Sequence, residues 1–264
     1  WILPFRAYKE THMEHHAKNA TTHDVDLVFL AELGFRPGLT VRQYWRQLLR
    51  SIVSPRFHAL YFRARMKANF VSACPLRATA AGVYTTALLA ATWGHWGTLA
   101  LAFLLPVFPL YHVAGLLQLL TEHNWVRVGE NIKGQKALTV RRLTNARFMG
   151  EAAPALPATS LAGARAWLRW TFRMLFLHLP ARLFVVQGDL PAHDLHHTKT
   201  DRNWAIAIHA RRAAVLERPE HYYEIWGLAT AILATFELLS RLPATAKLGE
   251  PLTYGEIADT YLSM

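Results

Sequence analysis

Residues 78–120 read ATAAGVYTTALLAATWGHWGTLALAFLLPVFPLYHVAGLLQLL and contain no Asp, Glu, Lys or Arg. A membrane crossing takes about 20 apolar residues, so this run is long enough for two, with Gly94-His95-Trp96-Gly97 where a turn is needed. Its flanks are basic on both sides. Arg36, Arg42, Arg46, Arg50, Arg56, Arg63, Arg65, Lys67 and Arg77 precede it, and Arg127, Lys133, Lys136, Arg141, Arg142 and Arg147 follow. Lys and Arg collect on the cytosolic side of membrane spans, so both ends of the run are expected in the cytosol and the number of crossings is even. A helical hairpin satisfies this, with 98–120 as the fuller span and 78–93 as a shorter one that Arg77 extends by snorkelling. A buried hairpin in a soluble helical protein is the alternative, and a run this long disfavours it.

Composition agrees with the run. The 264 residues are 52% hydrophobic and 18% charged, more apolar than an average soluble chain. The net charge of +11, from 29 Lys and Arg against 18 Asp and Glu, raises the question of nucleic acid. Its distribution argues against such a partner, because residues 33–121 hold no acid at all and the basic residues flank the apolar run, where they attract anionic lipid headgroups. One cysteine, Cys74, excludes an intramolecular disulfide and a cysteine-based zinc site, and is expected to be a buried spectator thiol in a reducing compartment. The chain opens on Trp1 rather than Met, so an N-terminally truncated protein is expected.

Beyond the run, Arg165, Arg169 and Arg173 recur every four residues among Trp167, Leu168, Trp170, Phe172 and Leu175, which predicts an interfacial amphipathic helix over 161–187. Residues 222–239 are apolar but carry Glu224 and Glu237, as a packed or interfacial helix would. Residues 129–160, rich in Gly, Pro, Ala and basic residues, read as a cytosolic connector. Repeats, low-complexity tracts and alternating strand patterns are not evident. The fold is expected to be all-α: multi-pass membrane helices with a cytosolic helical cap, organised as one domain of 1–77 in the cytosol, 78–120 as the transmembrane hairpin and 121–264 as cytosolic and interfacial.

The chain has 14 histidines, and six of them form two copies of His-x-x-His-His: His12, His15 and His16, then His193, His196 and His197. Positions i, i+3 and i+4 fall within about 100° of arc on a helix, so three imidazoles in this spacing can face one point. One such cluster is compatible with a solvated polar face; two matching clusters point to metal. Imidazole accepts Zn, Cu, Fe and Ni. His123, three residues beyond the apolar run, makes a seventh candidate ligand, more than one tetrahedral ion needs, which suggests two metals. Because an even number of crossings returns the chain to the side on which it began, the three segments are expected on one face. Glu14, Glu122, Asp189 and Asp194 stand beside these ligands, where a carboxylate can accept the second ring N–H. His58, His178, His209 and His221 are expected at the surface or interface, His23 lies off the first box, His95 marks the turn, and His112 is a packed polar residue of the span.

At these residues the chain resembles the membrane fatty acid desaturase and hydroxylase superfamily. Pro4-Phe5-Arg6-Ala7-Tyr8-Lys9-Glu10-Thr11-His12-Met13-Glu14-His15-His16 is similar to that family's second histidine box with its proline–aromatic lead-in. Asp189-Leu190-Pro191-Ala192-His193-Asp194-Leu195-His196-His197 resembles its last box, and Glu122-His123 resembles the lone histidine after the second hairpin. The resemblance covers nearly the whole chain in order and spacing. The family's earlier box is absent, and the last box departs from the common form at Pro191 and at Asp194-Leu195. The resemblance implies a non-haem centre of two irons with O2 as cosubstrate, held by His12, His15, His16, His123, His193, His196 and His197. It further implies a lipid or acyl substrate, a bacterial inner-membrane location with the active site in the cytosol, and an electron donor such as a ferredoxin or a cytochrome b5-like protein with its reductase.

Three function classes follow. The first is an O2-dependent desaturase, with a hydroxylase or ketolase using the same centre beside it, since both begin by removing hydrogen from an unactivated carbon. The second, a haem-binding electron-transfer protein, would use single histidines facing each other across spans and has no role for the triplets. The third, a membrane metal carrier, needs polar residues through the spans, and 78–120 has few.

Overall fold

The computed structural model describes residues 4–19, 24–125, 144–185, 190–199, 203–242 and 244, and the chain divides into two compact units, residues 1–113 with 243–264, and residues 114–242. In the first unit, Pro4 leads into α1 (Phe5–Lys18). Asp24 begins α2 (Val25–Glu32) by accepting from the Asp26 N–H, the usual work of an N-cap aspartate. The α2 run Leu27 to Ala31 is apolar all round and buried all round, which makes it the core of this unit. Helix α3 (Val41–Ile52) starts on a capping box of Thr40 and Gln43 and buries Tyr44, Leu48 and Ser51 at helical spacing. Gly38 lies before it at φ +84, where a Cβ would come within 2.7 Å of Ala244, so both its backbone angle and its neighbour require glycine. Ser54 and Pro55 start α4 (Pro55–Met66), and a π turn, Lys67–Val71, carries the chain toward the apolar run.

The apolar run forms α5 (Pro75–Ala91) and α6 (Trp96–Glu122). Gly94 at φ +79 reverses the chain between them, in the Gly-His-Trp-Gly stretch where the sequence placed a turn. Trp93 and Trp96 meet there with ring centroids 5.5 Å apart, and Tyr84 of α5 touches Phe103 of α6 at 6.2 Å. Pro106 and Pro109 withhold the N–H groups that the carbonyls of residues 102 and 105 would accept, and here the helix widens into π turns, Ala100–Leu104 and Pro106–Leu110. Helix α6 has 27 residues, and 22% of its most apolar window is buried. Among the described residues it is the one helix long and apolar enough to cross a membrane by itself; α5, with 17 residues, is three short of the usual ~20. Both helices expose large apolar side chains, among them Leu76, Val83, Tyr84, Leu101 and Leu104, where a core helix of a soluble protein would bury them.

In the second unit the last turns of α6 meet a two-stranded parallel sheet. Strand β1 (Ala146–Phe148) pairs with β2 (Glu224–Trp226) in the register Ala146↔Glu224, Arg147↔Ile225 and Phe148↔Trp226. The Phe148 and Trp226 rings stack at 4.4 Å. Between the strands run α7 (Leu161–Arg173), a π turn (Met174–His178), α8 (Leu179–Phe184), α9 (His193–Thr198) and α10 (Ala207–Glu217); α11 (Leu228–Arg241) follows β2. The Thr235 hydroxyl of α11 donates to the Leu120 carbonyl at 2.9 Å, fastening α11 to the end of α6.

The chain is mostly helical, as its sequence predicts, with several corrections. A strand pair replaces part of the expected 129–160 connector and the first residues of the expected 222–239 helix; three residues per strand are too few to show alternation. Residues 126–143, with Arg127, Lys133, Lys136, Arg141 and Arg142, lie outside the described residues. Arg147 is not a solvated flank residue but is fully buried. Cys74 is exposed rather than buried, because it stands at the N-terminal edge of α5 ahead of Pro75. His178 is buried rather than superficial, with Nε2 3.1 Å from Glu151 Oε1. Ser160 caps the expected amphipathic helix, which runs over 161–184 and exposes Leu168, Phe172, Phe176 and Leu183.

Candidate metal centre

The candidate ligands fall into two sets, one in each unit. In the first, the i, i+3, i+4 spacing on α1 brings the rings of His12 and His16 to 4.6 Å, with Nε2 to Nε2 at 3.1 Å. The His15 ring lies 5.9 Å from that of His16 and 6.4 Å from that of His12. Tyr8, one turn earlier, stacks on His12 at 5.3 Å. His15 and His16 are buried.

His15 turns its Nδ1 toward α2. Asp24 Oδ1 lies 3.0 Å from it and Asp26 Oδ2 3.3 Å from it, and Asp24 is fully buried. A carboxylate at this position accepts the Nδ1–H and leaves the lone pair on Nε2, the arrangement that orients a metal-ligating histidine. The N-cap of α2 thus supplies the carboxylate for the first box.

The second set joins the end of α6 to α9. His123 Nε2 lies 3.2 Å from His193 Nε2. Ring centroids are 4.8 Å apart for His123 and His193, 4.5 Å for His123 and His197, and 4.5 Å for His193 and His197. Three imidazoles therefore converge on one point. His196, the remaining box member, is 5.7 Å from His197 and packs against Trp204 at 4.0 Å, the two rings tilted by 52°. His123, His193 and His196 are all buried.

These separations fit a metal. An ion about 2.1 Å from each of two nitrogens, with the roughly 90–110° between bonds that tetrahedral and octahedral ions impose, holds those nitrogens about 3.0–3.4 Å apart. The Nε2 pairs at 3.1 and 3.2 Å fall in this range. An N–H···N hydrogen bond gives a similar distance, but it joins two rings and gives no reason for a third to close on the same point. Buried histidine clusters that could hold a metal are thus present, with imidazole nitrogen as the donor and, behind His15, a carboxylate.

The second set is held by two buried guanidinium groups: Arg147, which the sequence placed among the basic residues flanking the apolar run, and Arg211, which it did not single out. Arg147, on β1, donates through Nε to the Thr121 carbonyl at 2.6 Å and through Nη2 to Asn124 Oδ1 at 3.2 Å, so it grips the chain on both sides of His123. Burial pulls its pKa down to about 10 against the opposing effect of Asp194, and the group stays charged at neutral pH. Arg211, on α10, takes Asp194 in a two-pronged ion pair, with Nε 2.9 Å from Oδ1 and Nη2 3.0 Å from Oδ2. Its Nη1 reaches Glu224 of β2 at 2.9 Å. Burial lowers the Arg211 pKa, yet the bonds to Asp194 and Glu224 outweigh that and leave it raised. Adjacent strands therefore carry both grips: β1 holds His123 through Arg147, and β2 holds the box helix through Glu224, Arg211 and Asp194.

The acids expected behind the ligands have other partners. Glu14 pairs with Lys18 on the exposed side of α1, Glu122 accepts from Gln118 at 2.6 Å, and Asp194 serves Arg211; Asp189 lies outside the described residues, as does His23. Asp24 went unrecognised in the sequence, although an aspartate just ahead of an apolar run is an N-cap signal. Of the other histidines, His209 is exposed and His95 sits at the turn. His112 is buried in α6, with its Nδ1 3.2 Å from that of His58. His58 is half-buried rather than superficial, and its Nε2 donates to the Ile52 carbonyl at 2.7 Å. No family model, curated protein or solved structure matches the chain.

Proposed function

We propose that this chain is an iron-dependent, O2-consuming membrane enzyme that oxidises an unactivated carbon of an acyl chain or related lipid. The observation that carries the reading is the convergence of the buried His123 and His193 with His197, 4.5–4.8 Å apart by ring centroid, together with the matching triplet on α1. Seven imidazoles suffice for two metal ions while leaving coordination positions for O2. Bound there, a pair of irons supplies the oxidising power to take hydrogen from a C–H bond that no side-chain acid or base can remove.

The chain's own residues have three tasks in this reading. The histidines hold the ions through neutral nitrogen. Asp24, Arg147 and the Asp194–Arg211 pair fix the orientation of the rings or of the backbone that carries them. Helices α5 and α6, exposing apolar side chains along their length, supply a two-helix hairpin in the bilayer from which a lipid substrate can approach. Iron and multi-pass insertion are parts of this proposal, as is a cytosolic location for the histidines.

Desaturation converts two neighbouring CH2 groups to CH=CH. With two electrons and two protons from outside, the two substrate hydrogens and O2 leave as two waters. Hydroxylation or ketolation draws the same two external electrons per O2, so the donor set is common to them. Desaturation is the first reading and hydroxylation or ketolation the alternative; the boxes are common to both. Incubating the full-length protein in membranes with fatty acyl lipids, a reductant and 18O2 tests the reading: an alkene with label only in water supports the desaturase, labelled alcohol supports the hydroxylase, and no O2-dependent product refutes both.

A further inference from the structure

Trp204 places an exposed ring against the second histidine set. It follows α9 on a short turn, Trp204–Ile206, set by the Asn203 side chain accepting from the Ala205 N–H at 3.0 Å. One face of its indole meets the His196 ring at 4.0 Å between centroids and 52° between planes. His196 is buried, whereas Trp204 is 47% exposed. Trp125, which meets His123 at 4.9 Å, is by contrast buried.

The surroundings of Trp204 suit a protein partner. Ile206 and Ile208 are 50% and 62% exposed and extend the indole into an apolar patch. Ile208 and Arg212 follow Trp204 by four and eight residues, on one side of α10, and Arg212 is exposed, as is Lys199 at the end of α9. An apolar centre with a basic rim is the complement of an acidic protein surface.

We propose that Trp204 is where electrons enter, and that an acidic one-electron carrier protein of the ferredoxin or small cytochrome class docks over Trp204, Ile206 and Ile208. This rests on the proposed iron-dependent activity and names its partner. Each docking event would pass one electron from the reduced centre of the carrier to the metal that His196 would hold, the carrier being oxidised and the metal reduced with no bond made or broken. The indole acts as the conduit between solvent and the His196 ring and is not itself oxidised. Two such events supply the two electrons that each O2 requires.

The test uses the full-length iron-loaded protein and a reduced [2Fe–2S] ferredoxin, whose visible absorbance reports its oxidation in stopped flow. Trp204→Ala slows ferredoxin oxidation severalfold, with iron content and reduction by dithionite unchanged, and Trp204→Phe recovers part of the rate. Arg212→Glu and Ile208→Asp, both on exposed positions, weaken ferredoxin binding by about tenfold, most of it lost at high salt. Trp204→Ala and both rim variants behaving as wild type would overturn the inference while leaving the proposed activity intact. Loss of iron from Trp204→Ala, with rim variants binding normally, would also overturn it, making Trp204 a support for His196 only. A wild-type protein without iron would instead fail the activity beneath it.

Discussion

His15 Nδ1 lies 3.0 Å from Asp24 Oδ1, a contact between the last turn of α1 and the N-cap of α2 that fixes which nitrogen of the ring is left for metal. The relationship makes a prediction with an internal control. Asn caps a helix about as well as Asp, so Asp24→Asn should keep α2 while losing the nearer of the two carboxylates behind His15, and Asp24→Asn with Asp26→Asn should lose both. Metal affinity should fall about 10–100-fold with helix content by circular dichroism unchanged. Glu14→Gln, on the exposed side of the same helix, should bind metal as wild type does. Equal affinity in both Asp24→Asn and the double variant with Asp26→Asn would show that no carboxylate orients this ligand.

A second prediction concerns the Asp194–Arg211 pair. Removing one partner strands the other charge in a buried place, which costs about 3–5 kcal/mol, whereas replacing both with apolar residues of similar size is often close to neutral. Asp194→Asn should therefore lower the unfolding midpoint in detergent far more than the double variant Asp194→Leu with Arg211→Met. In the double variant stability returns in part, but α9 has lost its tie to β2 through Glu224, so metal affinity should remain reduced. Recovery of both properties would mean that the pair contributes only charge balance.

Much of the architecture was legible because its signals are long. An uncharged run of this length, a glycine-bearing turn inside it and arginines spaced by four each engage several helical turns, so local errors average out. The two boxes were legible for a different reason: the i, i+3, i+4 spacing makes three side chains neighbours on any helix, whatever surrounds it. Arg147, Arg211 and Asp24 act through contacts that close over longer chain separations, and nothing in a basic stretch such as His209-Ala210-Arg211-Arg212 says which arginine turns inward. The same holds for β1 and β2, which are three residues each and exist only because the chain brings them together. Cys74 was misjudged because a lone cysteine is usually a small core residue, whereas here it precedes a helix-starting proline.

That exposed cysteine, the only one in the chain, gives a direct test of topology. It sits at the basic end of α5, which the distribution of Lys and Arg assigns to the cytosol. A membrane-impermeant maleimide should label Cys74 in inside-out vesicles and leave it unlabelled in right-side-out ones. In a Cys74→Ser background, Gly97→Cys at the turn should show the opposite pattern. Labelling of both positions from the same face would exclude the hairpin.

The histidine assignments separate into groups that can be compared within one protein. His193, His196 and His197 share the short helix α9, and each ring is part of the buried cluster or adjoins it; His209 is exposed on α10, and His221 lies in a turn before β2. Alanine at any of the first three should open a coordination position and lower both iron content and substrate oxidation, while His209→Ala and His221→Ala should leave both near wild type. Full activity in His196→Ala, or its complete loss in His221→Ala with normal expression, would mean that the ligands are wrongly assigned.

The central claim, that these histidines hold iron, is tested most directly by the metal content of the full-length protein purified from iron-replete cells. Seven imidazoles in two sets predict about two irons per chain, removed by an iron chelator and restored by Fe(II). Stoichiometric zinc with no iron would contradict the account.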